Sequence, residues 1–217
     1  MMIETVRTFK SSNENEKQID YIIYYPEKHM TINDSLPLLL FLHGAGERGR
    51  DIQQIKRHGI PKLISEGREV PFICIAPQCS EDGYWDQEPY ILTLIRLIMY
   101  VKETHNIDNI VGTGLSMGGF GIIAIAVNDP SLFSAIIPIC GGANQLHIKN
   151  LRNLPIWLFH GRDDDVIPVE NSIAIYKEVG KINQNIKLTI YEGVSHDSWT
   201  ETYKNDKVYK WLLGFCN

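Results

Sequence analysis

The sequence predicts an α/β fold: a mainly parallel sheet with helices on both faces and an antiparallel hairpin at its N-terminal edge. Three observations lead there. Short, continuously apolar runs recur along the chain, the pattern of strands buried on both faces. Longer amphipathic segments separate them, so strand and helix alternate. At the start, two β-rich segments flank one polar turn. The 217 residues show no internal repeat, low-complexity stretch or linker, which predicts a single domain over 1–217.

The hairpin is ETVRTFK (4–10) and QIDYIIYYP (18–26), with SSNENEK (11–17) as its turn. LPLLLFLHG (36–44) is a strand closed by glycine, and a polar, glycine-containing loop leads to a short helix around IPKLISEG (60–67). PFICIAP (71–77) is a strand and YILTLIRLIMYVKETH (90–105) an amphipathic helix. NIVGTGLS (109–116) is a strand, and MGGFGIIAIAVND (117–129) a helix that stops before Pro130. SAIIPICGG (134–142) and LPIWLFHG (154–161) are strands, VENSIAIYKEVGK (169–181) is a helix and IKLTIYEG (186–193) the last strand. SWTETYKNDKVYKWLLGF (198–215) closes as a helix.

Hydrophobic residues make up 44% of the chain and charged residues 22%, the balance of a soluble domain with a sizeable core. The net charge is −5 and the basic residues are scattered, so no nucleic-acid partner is expected. The apolar runs are strand length, far short of a bilayer span, so no membrane partner is expected either. MMIETVRTFKSSNENEKQ lacks the apolar core of a signal peptide, and the expected location is the cytoplasm. Cys74, Cys79, Cys140 and Cys216 have no C-x-x-C spacing and are expected as free, buried thiols. No motif suggests a metal or any other cofactor. GTGLSMGGFG superficially resembles a dinucleotide loop, but it lies well beyond the first βαβ unit and its serine has a better explanation.

In such a sheet the functional loops lie beyond the carboxyl ends of the strands. After NIVGT comes GLSMGG, which fits G-x-S-x-G with Ser116 at its centre. A strand leads in and a helix leads out, as a nucleophile elbow requires. The turn strains the serine backbone, and the glycines remove Cβ atoms that would clash. The bland alternative is a serine N-cap of a tight turn.

A serine hydroxyl needs a base to take its proton. With this elbow the chain order is Ser, then Asp or Glu, then His. Of seven histidines, only His196 follows both the serine and the next candidate acidic loop, and it comes directly after a strand. The acid belongs to a strand-end loop between the two, and HGRDDDVIP (160–168) supplies Asp163, Asp164 and Asp165. Three neighbours cannot all turn to one imidazole. Acyl transfer also needs backbone N–H donors for the oxyanion. Met117, after the nucleophile, is one, and the loop HGAGERG (43–49) offers Ala45, with Gly46 beside it. His43 is expected to hold that loop by hydrogen bonding.

LFLHGAGERG, IAPQC, GLSMGGFG, PICGG, FHGRDDDVIPVE and GVSHDSWTETY, in this order, resemble the small lidless carboxylesterases of the α/β-hydrolase fold. These are relatives of dienelactone hydrolases, polyhydroxybutyrate depolymerases and feruloyl or acetyl-xylan esterases, often labelled phospholipase/carboxylesterase or predicted peptidase. The likeness runs from the hairpin to the C-terminus. It implies Ser116 as nucleophile, His196 as base and, through H-G-x-x-D-x-x-[VI]-P, Asp164 as the acid. The chain departs from these relatives in carrying an acidic residue on each side of Asp164. Asp163 and Asp165 are expected to be solvated and to help cap the helix near Pro168, with hydrogen-bond donors gathered around Asp164.

The segment GGANQLHIKNLRN (141–153) leaves room for one small helix where many lipases carry a lid. An open site suits a small-molecule or carbohydrate-linked ester. Gln78, Trp85 and Trp199 are candidate substrate-binding residues, each with an equal claim to rim or packing roles. Two other functions fit the same fold. A serine peptidase of prolyl-oligopeptidase type usually relies on a further domain, and a non-catalytic binding protein typically lacks a triad member.

Overall fold

The computed structural model describes residues 1–11, 17–27, 36–143 and 145–216. Its strands are β1 (Met2–Phe9), β2 (Ile19–Pro26), β3 (Leu38–Leu42), β4 (Ile73–Pro77), β5 (Ile110–Leu115), β6 (Ala135–Ile139), β7 (Ile156–Gly161) and β8 (Ile186–Tyr191). They form one sheet in the order β1-β2-β4-β3-β5-β6-β7-β8. β1 pairs antiparallel with β2, and β2 antiparallel with β4. From β4 to β8 every pairing is parallel. This is the α/β-hydrolase arrangement, with the hairpin at one edge. Residues 12–16 of the expected hairpin turn lie outside the described residues.

β3 shows why the centre holds. All five residues of LLLFL are buried, because neighbours pair on both edges and helices cover both faces. Leu38, Leu40 and Leu42 join a core with α2 (Glu88–Thr104), α3 (Met117–Asn128) and α4 (Glu170–Gly180). Leu39 and Phe41 join a second core with α1 (Gly59–Ser65), α5 (Trp199–Lys204) and α6 (Asp206–Leu213). Burial of each such side chain stabilises the fold by about 1.5–3 kcal/mol.

The last segment is not one helix. Asn205 leaves the helical region (φ −83°, ψ 111°) and its side chain accepts from the Lys207 amide. It thereby caps α6 and ends α5, the local competition that makes asparagine a helix starter. Short 3-10 turns at Ala45–Glu47 and Ile52–Arg57 occupy the loop after β3, and another at Gln145–Leu151 lies between β6 and β7. Asn144, in the segment expected to hold one small helix, lies outside the described residues. No helix among the described residues is long and apolar enough to cross a membrane. The four cysteines are free, three of them buried and Cys216 half-buried.

Candidate active site

β5 delivers Ser116 to the carboxyl edge of the sheet. The serine adopts φ 53°, ψ −117°, a conformation that costs an L-residue about 1–3 kcal/mol. Its amide donates to the Ile139 carbonyl at 2.9 Å, which ties the turn to β6. The glycines make the turn possible by close approach. A Cβ on Gly114 would lie 2.4 Å from the Gly118 carbonyl oxygen, and one on Gly118 would lie 2.0 Å from that of Leu42.

β7 and β8 deliver the other two side chains. Their loops are joined where the Asp163 amide donates to the Val194 carbonyl at 3.0 Å. His196 Nε2 lies 3.0 Å from Ser116 Oγ, and Nδ1 lies 2.8 Å from Asp164 Oδ2. The structure thus brings together the three residues that the sequence singles out. Of the three aspartates, Asp164 alone is buried and turned to the imidazole. Its Oδ1 accepts the Val166 and Ile167 amides at 3.0 and 2.8 Å. Burial alone would raise this carboxyl. The His196 hydrogen bond and the two amides outweigh it and hold the group below the usual carboxylate range.

The flanking aspartates are exposed. Neither caps α4, whose N-cap is Val169 without a side-chain bond. Asp165 instead accepts from Ser195 Oγ at 2.9 Å and so braces the histidine loop. The helix starts too far downstream for the aspartates to reach its amides.

Two further residues were not singled out by the sequence. His160, at the end of β7, is fully buried, with Nδ1 2.7 Å from Ser172 Oγ and Nε2 2.8 Å from the Ile167 carbonyl. Nε2 is also 3.2 Å from Asp164 Oδ2. Its position at the end of an apolar strand, directly before the acidic loop, was the available signal. Glu47 is only 4% exposed although it sits in a glycine-rich loop. Its spacing three residues after Gly44 is that of a capping box.

Ala45 and Gly46 are exposed on this loop, and neither the Ala45 nor the Met117 amide N–H is taken by another described residue. Burial lowers the His43 imidazole to about 4, so the ring stays neutral. Cys79 N–H donates to its Nε2 at 3.1 Å, which leaves the proton on Nδ1. Nδ1 then donates to the Gly44 carbonyl at 2.6 Å.

All three candidate substrate residues are buried. Trp199 joins the core on the α5 face and packs edge-on against His196, ring centres 5.2 Å apart. Trp85 takes the packing role: it is fully buried, and its Nε1 donates to the His43 carbonyl at 3.0 Å. Gln78 is also buried and donates to the Glu47 carbonyl at 2.6 Å. Both support the loop from behind, because β3 and β4 are neighbours and their ends pack together. A cleft of about 230 Å³ lies along α3 from Phe120 to Asn128, with Ile91, Ile123 and Val127 on its walls; Ser116, Asp164 and His196 do not line it.

Cys140, Asp164 and His196 offer ligand atoms within 4.8 Å of one another. Asp164 and His196 are bonded to each other, and burial pushes the Cys140 thiol up to about 12, so it is protonated. The set is a poor one for a cation, since a thiol must ionise to bind metal.

The model of the phospholipase/carboxylesterase family matches residues 75–211. A thermostable esterase of known structure is 32% identical, with a TM-score of 0.84 over 97% of this chain and 62% of that one. A bifunctional acetylxylan esterase/xylanase of Neocallimastix patriciarum is 29% identical over 168 residues, 73% of this chain. A ferulic acid esterase shares the fold at 16% identity, with a TM-score of 0.70 over 99% of this chain and 98% of that one. The chain spans 3% and 24% of the lengths of the two curated proteins it matches.

Proposed function

The chain belongs to the phospholipase/carboxylesterase family of α/β-hydrolases, and on that premise we propose that it is a serine carboxylic-ester hydrolase. The observation that carries this reading is the unbroken relay from Ser116 Oγ through His196 to Asp164, at 3.0 and 2.8 Å, on a strained serine at the start of α3.

The Asp164 carboxylate accepts a hydrogen bond from His196 Nδ1–H and stays ionised, which turns the Nε2 lone pair to the serine. Ser116 Oγ attacks the ester carbonyl carbon while its proton passes to Nε2. The carbonyl electron pair moves onto oxygen, where the Ala45 and Met117 amides receive it. Collapse of this intermediate breaks the carbon–oxygen bond to the alcohol, which leaves with the proton from Nε2. Water then gives a proton to His196 and attacks the acyl-enzyme, and Ser116 regains its hydrogen as the acid departs.

The substrate class we infer is a small or carbohydrate-linked ester. The acetylxylan esterase named among the relatives supports this. The working compartment we infer is the cytoplasm, where free thiols persist. The test is hydrolysis of short-chain p-nitrophenyl esters by the purified chain and its Ser116→Ala variant. Loss of turnover by a factor of about 10⁴ or more supports the assignment, and undiminished turnover overturns it. Labelling by an organophosphonate, mapped by mass spectrometry, should fall on Ser116.

A further inference from the structure

The stretch Gly44–Glu47, which bears Ala45, is held by five side chains, and one of them differs in kind from the rest. His43 Nδ1 donates to the Gly44 carbonyl, Arg48 Nε to the Ala45 carbonyl at 3.0 Å, Arg57 Nη1 to the Gly46 carbonyl at 3.4 Å, and Gln78 Nε2 to the Glu47 carbonyl. Glu47 alone of the five accepts: its Oε2 takes the Gly44 N–H at 2.8 Å. A carboxylate this deeply buried is costly unless its lone pairs are used. His58 Nε2, 3.7 Å from Oε1, is the basic group that faces it.

The covalent geometry gives this contact its meaning. The Gly44 N–H belongs to the His43–Gly44 peptide. The Gly44 carbonyl belongs to the next peptide, whose N–H is that of Ala45. Gly44 is extended (φ −79°, ψ 179°), and Glu47 holds the peptide on one side of it while His43 holds the peptide on the other. With both planes fixed, the direction of the Ala45 N–H is fixed as well.

We propose that Glu47 is a positioning residue for the oxyanion site, its buried carboxylate orienting the Gly44 peptides so that the Ala45 N–H meets the developing charge. This rests on the ester-hydrolase reading, in which Ala45 is a donor. The role needs an acceptor atom at the place of Oε2, not a charge. Glu47→Gln keeps the acceptor. Glu47→Asp keeps the charge but withdraws the oxygen by one methylene.

The experiment compares Glu47→Gln, Glu47→Asp and Ser116→Ala on a p-nitrophenyl ester, together with the affinity of a boronic acid that forms a tetrahedral adduct on the serine. Losing a whole oxyanion donor lowers kcat by about 10²–10³, so mispositioning one in Glu47→Asp should lower it by about 10–100-fold. KM should stay near wild type, and boronate affinity should fall in step with kcat/KM. Glu47→Gln should remain within about threefold of wild type in both measurements, since a neutral acceptor replaces a charged one. Wild-type kcat in Glu47→Asp overturns the proposal. So does a Glu47→Gln variant as slow as Glu47→Asp, or a slowed variant that binds boronate normally. Turnover surviving in Ser116→Ala overturns the ester-hydrolase reading instead, so the two failures are distinct.

Discussion

Asp164 Oδ2 lies 3.2 Å from Nε2 of His160, and it is the same oxygen that meets His196. A second imidazole therefore stands by the carboxylate and also spans Ser172 and Ile167. His160→Leu leaves the Ser172 hydroxyl and the Ile167 carbonyl without that partner. It should lower stability by about 1–3 kcal/mol, read as a lower denaturant midpoint.

The aspartate run gives a ranked prediction. Asp164→Asn should reduce kcat by about 10⁴-fold, because an amide at that position favours the wrong imidazole tautomer. Asp163→Asn should leave the rate unchanged, and Asp165→Asn should cost less than about tenfold through the loosened Ser195 contact. Steady-state kinetics of the three variants check the order.

Acid should act through the same carboxyl. Its folded pKa is depressed, so it binds fewer protons folded than unfolded. The stability it contributes is therefore fully present above the ordinary aspartate value of about 3.9 and is lost as pH falls through the lower folded value. Denaturant unfolding at stepped pH should show wild type losing stability in that acid window, and Asp164→Asn should flatten that part of the curve.

Strain at Ser116 can be read by relieving it. Ser116→Gly should abolish turnover yet raise stability by about 1–3 kcal/mol, because glycine adopts φ 53° at no steric cost. Gly118→Ala should do the opposite to the fold, since its Cβ would meet the Leu42 carbonyl at 2.0 Å. Thermal melts of both variants test the pair. A Ser116→Gly variant that melts below wild type would contradict the strain account.

Much of this was legible because periodicity records burial. LLLFL is apolar throughout, and β3 is buried on both faces. That Ser116, His196 and one of the three aspartates would meet was legible too, because each follows a strand and strand ends gather at one edge of the sheet; the choice of Asp164 came from the likeness to the family's H-G-x-x-D-x-x-[VI]-P. Side-chain direction in loops was not. Trp85 lies in a polar stretch, and only the packing of His43 and Tyr90 around it makes it core. The break at Asn205 was missed because one side chain-to-amide bond decides it, and the apolar spacing continues across it. Glu47 was missed for the opposite reason: a charge among glycines reads as solvent-facing unless the Gly44 amide beside it is known to lack another acceptor.

The clamped loop after β3 has a thermal consequence. Its order is set when the chain folds, so under the proposed mechanism each turnover would begin with the Ala45 N–H already in place and little ordering left for substrate binding to drive. Such a loop is not the part that fails first. Heating should therefore extinguish activity at the temperature where the sheet itself melts, with a single transition for both, rather than silencing the enzyme while its fold survives.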